Sequence, residues 1–267
     1  MTFDIETKFD KEIEAFTQDC GDHDYVKRGR LIRWLSQFGE DKIPLAIKVL
    51  KNIRYFSASN LMSMSQELVN MVITMFPHVK GSGIFYVPVG GPGTGAQMIA
   101  RHLKSNADVA NDNIVDLLTL YRESKKRKID LIVFLEDFSG TGHTIEEWWS
   151  TNAPIILPIG SIVLFGILVL NHLARSLLEE ELTMIAIQHF DKQDNVLSTD
   201  CTYFDDSEKE NLLLFCGKTG CSPSYLKGFG DCGLLVAFQH GCPNNSLPIL
   251  WHEKSGVWEA LFRRRSV

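Results

Sequence analysis

Apolar residues recur at helical spacing through the first third of the chain. Leu31, Trp34, Leu35 and Phe38 stand at i, i+3, i+4 and i+7, one face of a helix that Gly39 stops. Pro44 suits the first turn of a second helix, whose stripe is Leu45, Val49, Ile53 and Phe56. Ser59 or Asn60 caps a third, with Leu61, Met64, Leu68, Met71, Val72 and Met75 inward and Pro77 as its end. The methionines of that stripe suit core packing better than a cofactor or partner groove. Residues 1–24 are charged and weakly patterned, an arm or a short helix. The spacing predicts a helical N-terminal region over residues 1–80.

From residue 81 the pattern changes to short apolar runs alternating with amphipathic segments. Residues 84–89, IFYVPV, read as a strand; after a glycine turn comes a helix with Ala96, Ile99, Ala100 and Leu103 on one side. Residues 111–126 read as a helix with Ile114, Leu117, Leu118 and Tyr121 inward. The KKRK run at 125–128 ends it, and cations there suit the helix dipole better than a phosphate-gathering role. Residues 131–135, LIVFL, form a buried strand. The uncharged stretch 153–170 is long enough for a membrane span. Pro154, Pro158, Gly160 and Gly166 interrupt it, so it reads as a loop over 153–160 and a buried strand over 161–170. A helix over 172–182 with Leu173, Leu177 and Leu178 inward and a strand over 183–189 follow. This alternation predicts an α/β core over residues 81–200, a parallel sheet with helices on both faces. Ligands of such sheets sit beyond the carboxyl ends of the strands.

Candidate chemistry concentrates at two of those ends. In LIVFLEDFSGTGHT, residues 131–144, a buried strand runs into Glu136 and Asp137, then a turn, then a helix. N–H groups at a helix start are unpaired and carry partial positive charge, so Ser139, Gly140, Thr141, Gly142, His143 and Thr144 make a phosphate cradle. Two carboxylates beside it can accept from a vicinal diol. Phosphate plus diol is a ribose 5-phosphate. A second turn, 90–97, GGPGTGAQ, offers another anion cradle at Gly91, Gly93, Thr94 and Gly95. It is not a Walker A loop, because no Lys-Ser/Thr follows, and it is a poor dinucleotide fingerprint.

Residues 201–267 change character. A short helix over 207–215, with Ser207 as cap, precedes a Gly/Cys-rich stretch and a strand over 234–239. The segment 240–251, HGCPNNSLPILW, is an ordered loop. The region reads as a small C-terminal hood. Asn244, Asn245 and Ser246 are its candidates for contacting a ligand's variable part, with turn chemistry as the alternative. Arg263, Arg264 and Arg265 read as a mobile basic tail.

Composition adds exclusions. A net charge of −6 speaks against a general nucleic-acid or anionic-membrane binder. The chain opens without a signal peptide pattern and carries six cysteines at spacings unlike zinc sites. Reduced, buried thiols in a cytoplasmic protein are the reading.

The 131–144 segment resembles the type I phosphoribosyltransferase signature: apolar residues, two acids, three residues, then Thr-Gly-x-Thr. The resemblance implies that Glu136 and Asp137 hold the ribose hydroxyls and that 139–144 hold the 5′-phosphate. It also implies a glycosyltransferase whose pyrophosphate loop matches Gly91, Gly93, Thr94 and Gly95. Its ligand would be phosphoribosyl pyrophosphate with Mg2+, the ion held mainly by the ligand. With the helical front and the PNNSLP-x-x-W ending, the chain is similar to phosphoribosyltransferase-like proteins of prokaryotic conflict systems, some retron-associated. That implies an effector in anti-phage defence with a protein partner from the same operon, and leaves room for an oligomer. Typical members place a mobile loop between two strands ahead of the signature, whereas residues 105–130 offer mainly a helix, with 107–110 as a candidate short strand. The second reading is therefore a non-catalytic nucleotide or phosphoribosyl sensor, and the third a structural subunit.

Overall fold

The computed structural model of the protein describes residues 5–105 and 109–264. The first unit opens with α1 (Ile5–Asp19), α2 (Arg28–Ser36), α3 (Ile43–Asn52) and β1 (Arg54–Phe56). A second unit follows. It holds α4 (Ala58–Met75), β2 (Ile84–Pro88), α5 (Gly95–Lys104), α6 (Leu117–Ser124), β3 (Leu131–Ser139), α7 (His143–Ile156), β4 (Ile162–Asn171), α8 (His172–Leu178) and β5 (Met184–Phe190). The chain then returns to the first unit with α9 (Asp206–Lys218), β6 (Val236–Phe238) and α10 (Pro248–Trp251). The units divide the chain at Ala58 and Asp191, so the first is built from both ends of the sequence. The three-part division read from the sequence gives way to this arrangement, because the front helices and the C-terminal region share one apolar core.

That core joins Leu31, Trp34 and Val49 from the front to Leu212, Phe215, Trp251 and Phe262 from the back. The Trp34 and Trp258 indoles both donate to the Ile249 carbonyl, at 2.8 and 3.1 Å, which satisfies their buried N–H groups. β1 and β6 pair in parallel, Arg54 opposite Val236. Residues 5–19 are a packed helix rather than an arm, with Ile13 and Phe16 buried. Its stripe is hard to read because Phe9 leaves helical geometry at φ −124° and ψ 26°. The cap of α9 is Asp205, not Ser207: its carboxylate accepts from Glu208 N at 2.8 Å and Glu208 returns the bond in a capping box. All six cysteines are free. Burial pushes the Cys20 thiol up to about 12 and those of Cys216 and Cys242 up as well, so they pack as protonated thiols.

The second unit is a four-stranded parallel sheet in the order β2-β3-β4-β5. Every residue of β3 is buried, as a central parallel strand requires. Residues alternate between faces along a strand. Phe134 lies on one face with Phe85, Ile132 and Phe165, covered by Leu120 of α6, Ile145 of α7 and Ala174 and Leu178 of α8. The other face takes α4, whose Leu68 Cδ2 would stand 2.9 Å from a Cβ at Gly166. It also takes the start of α5, since a Cβ at Gly95 would meet Asp137. Helices thus cover both faces. Between α5 and α6 the chain runs along the outer edge of β2: Ile114 bridges Tyr86 in parallel and Val115 N donates to Tyr86 O at 3.0 Å. The chain therefore leaves β2 outward by α5 on one face and crosses back to β3 by α6 on the other. The four strands run in sequence order, but the bridged segment at Ile114 lies on the far side of β2 from β3, so successive connections leave β2 in opposite directions and the carboxyl ends of β2 and β3 act as a topological switch point.

One further expectation differs in detail. The predicted loop over 153–160 is instead the end of α7, which runs through Pro154 to Ile156. A proline that close to the C-terminus removes one hydrogen bond and leaves the earlier turns intact. The candidate strand over 107–110 lies partly outside the described residues, as does Arg265 of the basic tail. Among the described residues no helix is long and apolar enough to cross a membrane.

Candidate functional site

The Gly-rich turn after β3 is built as a donor cradle. Gly142 caps α7 at φ 90°, ψ −20°, a left-handed conformation that favours glycine. A Cβ there would also stand 3.1 Å from Ala174 Cα and 3.1 Å from Leu177 Cδ2, so α8 packs against the turn from below. The first helical donor is Glu146 N, bonded to Gly142 O at 3.0 Å. The N–H groups of His143, Thr144 and Ile145 therefore have no intrahelical acceptor. Thr141 is half-buried, and His143 and Thr144 are exposed, so among the described residues the mouth of the turn is left accessible. Ser139 is buried at the strand end. His143 Nδ1 and Glu146 Oε2 lie 3.0 Å apart on the exposed rim.

The two acids occupy different settings, as neighbours on a strand must. Glu136 is 6 % exposed and Asp137 is fully enclosed. Asp137 faces the start of α5: a Cβ at Gly95 would stand 2.1 Å from Asp137 Oδ2 and 2.2 Å from its Cγ. Only glycine permits that approach. A carboxylate against the first turn of a helix also meets the positive end of its dipole.

The second turn, 90–94, is open. Gly90 and Gly93 take φ 80° and 91°, and a Cβ at Gly91 or Gly93 would meet nothing within 4 Å. The Thr94 hydroxyl closes the turn by donating to Gly91 O at 3.1 Å and Val89 O at 3.3 Å. Gly91, Gly93 and Thr94 thus form an exposed turn at the end of β2, and Gly95 is its join to Asp137. The structure brings both turns to adjacent strand ends at the switch point.

Asn244, Asn245 and Ser246 sit in the first unit and their bonds hold their own loop. Asn245 Nδ2 donates to Phe229 O at 3.1 Å, and Asn244 O accepts from Phe229 N at 2.8 Å. The Ser246 hydroxyl is buried, donating to Val236 O at 2.8 Å and accepting from Val236 N at 3.2 Å. The Asn245 and Ser246 side chains are therefore turned to structure rather than to a ligand, which corrects the hood-contact expectation for them.

One residue escaped sequence reasoning. Asn171, at the end of β4, is fully buried and its Nδ2 donates to Gly140 O at 3.0 Å. Its only sequence signal is an asparagine at a strand-to-helix junction, which reads as an ordinary cap. Among the described residues no group of three or more His, Cys, Asp or Glu side chains is gathered for a metal ion.

A family model, PRTase-CE, matches residues 31–264, which spans both units. No curated protein and no solved structure matches the chain.

Proposed function

The chain belongs to the PRTase-CE family, which is phosphoribosyltransferase-like, and from that premise we propose that it binds phosphoribosyl pyrophosphate or a nucleotide at the switch point. The observation that carries the reading is the pair of glycine turns at the carboxyl ends of neighbouring strands β2 and β3. The 5′-phosphate takes the N–H groups and hydroxyls of 139–144, and the pyrophosphate, with its Mg2+, takes the open turn 90–94. Glu136 accepts from the ribose hydroxyls. Asp137 forms the wall behind it and holds the start of α5 in place. If the site turns its ligand over, loss of pyrophosphate leaves positive charge on the ribose, which Glu136 and the departing anion stabilise. The protein's part is to orient the sugar and shield it from water.

A second reading, a sensor that acts through a protein partner, has its own support. Among the described residues of 109–130 there is a short α6 and a single bridge to β2, and no strand pair carrying a loop to close over the site. The tail motif similar to conflict-system proteins extends either reading to a cytoplasmic role in anti-phage defence.

The test is calorimetry of Mg2+ phosphoribosyl pyrophosphate against the wild type and Thr141→Ala. Loss of a hydroxyl donor to a charged phosphate is expected to weaken binding about tenfold. Unchanged affinity would reject the phosphate-turn assignment. Pyrophosphate release over a panel of bases and nucleotides then separates enzyme from sensor.

A further inference from the structure

We propose that Asn171 is the positioning residue of the phosphate turn, an inference that rests on the ligand reading above. Ser139 stands opposite Leu170 in the β3–β4 register, so Asn171 is one step further on, level with Gly140. Its Oδ1 accepts from His172 N at 3.0 Å, which caps α8, and faces His172 Nδ1 at 3.0 Å. Its Nδ2 donates to the Gly140 carbonyl at 3.0 Å. The two backbone bonds admit one amide orientation only, since a carbonyl accepts and an N–H donates. In a trans peptide the C=O of one residue and the N–H of the next point in opposite directions. Drawing the Gly140 oxygen inward therefore aims the Thr141 N–H outward, to the mouth of the turn. Asn171 touches no ligand. It sets the direction of a donor that does.

Cap and clamp can be separated by substitution. Serine and aspartate cap helices about as well as asparagine. Neither can donate to Gly140 as the amide does: serine is too short, and aspartate at neutral pH has no donor. Asn171→Ser introduces no charge, so its effect on an anion is not electrostatic. Asn171→Asp keeps the shape.

The experiment titrates ribose 5-phosphate and, separately, Mg2+ pyrophosphate into wild type, N171S and N171D, with thermal melts alongside. The expected result is about tenfold weaker ribose 5-phosphate binding in N171S, at least that in N171D, and unchanged pyrophosphate affinity in N171S, with no more than the small fall in melting temperature that one unpartnered carbonyl costs. A wild type that binds pyrophosphate but not ribose 5-phosphate would sink the ligand reading itself. Equal ribose 5-phosphate affinity in wild type and both variants would overturn the role of Asn171 while leaving that reading standing. A parallel loss of both ligands with a lowered melt would also overturn it, since that marks general loosening. Should N171S not fold, N171T, also an uncharged cap too short to reach Gly140, carries the same comparison.

Discussion

Gly95→Ala is expected to lower stability by about 2–3 kcal/mol through overpacking and to cut affinity for Mg2+ phosphoribosyl pyrophosphate on the order of 100-fold. The added methyl would stand 2.1, 2.2 and 2.4 Å from Asp137 Oδ2, Cγ and Oδ1. Asp137 is fully enclosed, so its carboxylate has no solvent to swing into. Either the start of α5 retreats, taking the 90–94 turn with it, or the end of β3 shifts, taking the 139–144 turn. Each route moves one anion cradle relative to the other, and a ligand with phosphates at both ends senses that separation. Gly81→Ala is the control, because Gly81 lies outside both turns, a Cβ there meets nothing within 4 Å and the residue has no positive φ. Urea titration and calorimetry on the two variants decide the matter. If G95A melts and binds as G81A does, the contact between Asp137 and α5 is not what sets the site.

Phe134→Ala should cost the most in stability, about 3–5 kcal/mol by equilibrium unfolding, if the sheet core packs as described. The ring is fully buried on β3. Its centroid lies 4.9 Å from Trp148, 5.2 Å from Phe165 and 6.4 Å from Trp149. Those partners come from α7 and β4, elements that flank the phosphate turn. The rigid neighbours cannot collapse into the space, so the cavity persists and adds to the lost transfer energy. A loss under about 1 kcal/mol would mean that this aromatic cluster is not closed in solution.

The sheet was legible because its strands are continuous runs of Ile, Val, Leu and Phe between turn residues, a local signal. The phosphate turn was legible for the same reason: glycines, hydroxyls and acids lie close together in the chain. Face assignment was not, because the return along β2 rests on one bridge at Ile114 inside a segment whose spacing is helical. Asn171 stayed hidden because its partner Gly140 is remote in sequence and its own neighbourhood reads as a cap. Asn245 and Ser246 misled by composition, since the chemistry that would contact a base also ties an internal loop. The union of front helices and C-terminal region was invisible for a broader reason. Trp34 and Ile249 meet only through folding, and hydrophobic periodicity records which face is apolar without saying what covers it.

That union has a consequence for biosynthesis. While the ribosome is still working, α1, α2, α3 and β1 exist without their partners, and their apolar faces stay uncovered through the whole synthesis of residues 59–190. The α/β unit, continuous in sequence, is complete earlier and can fold first. Chaperone dependence should therefore be concentrated in the opening helices. Trimming the last sixty or so residues should strand those helices rather than merely remove a lid.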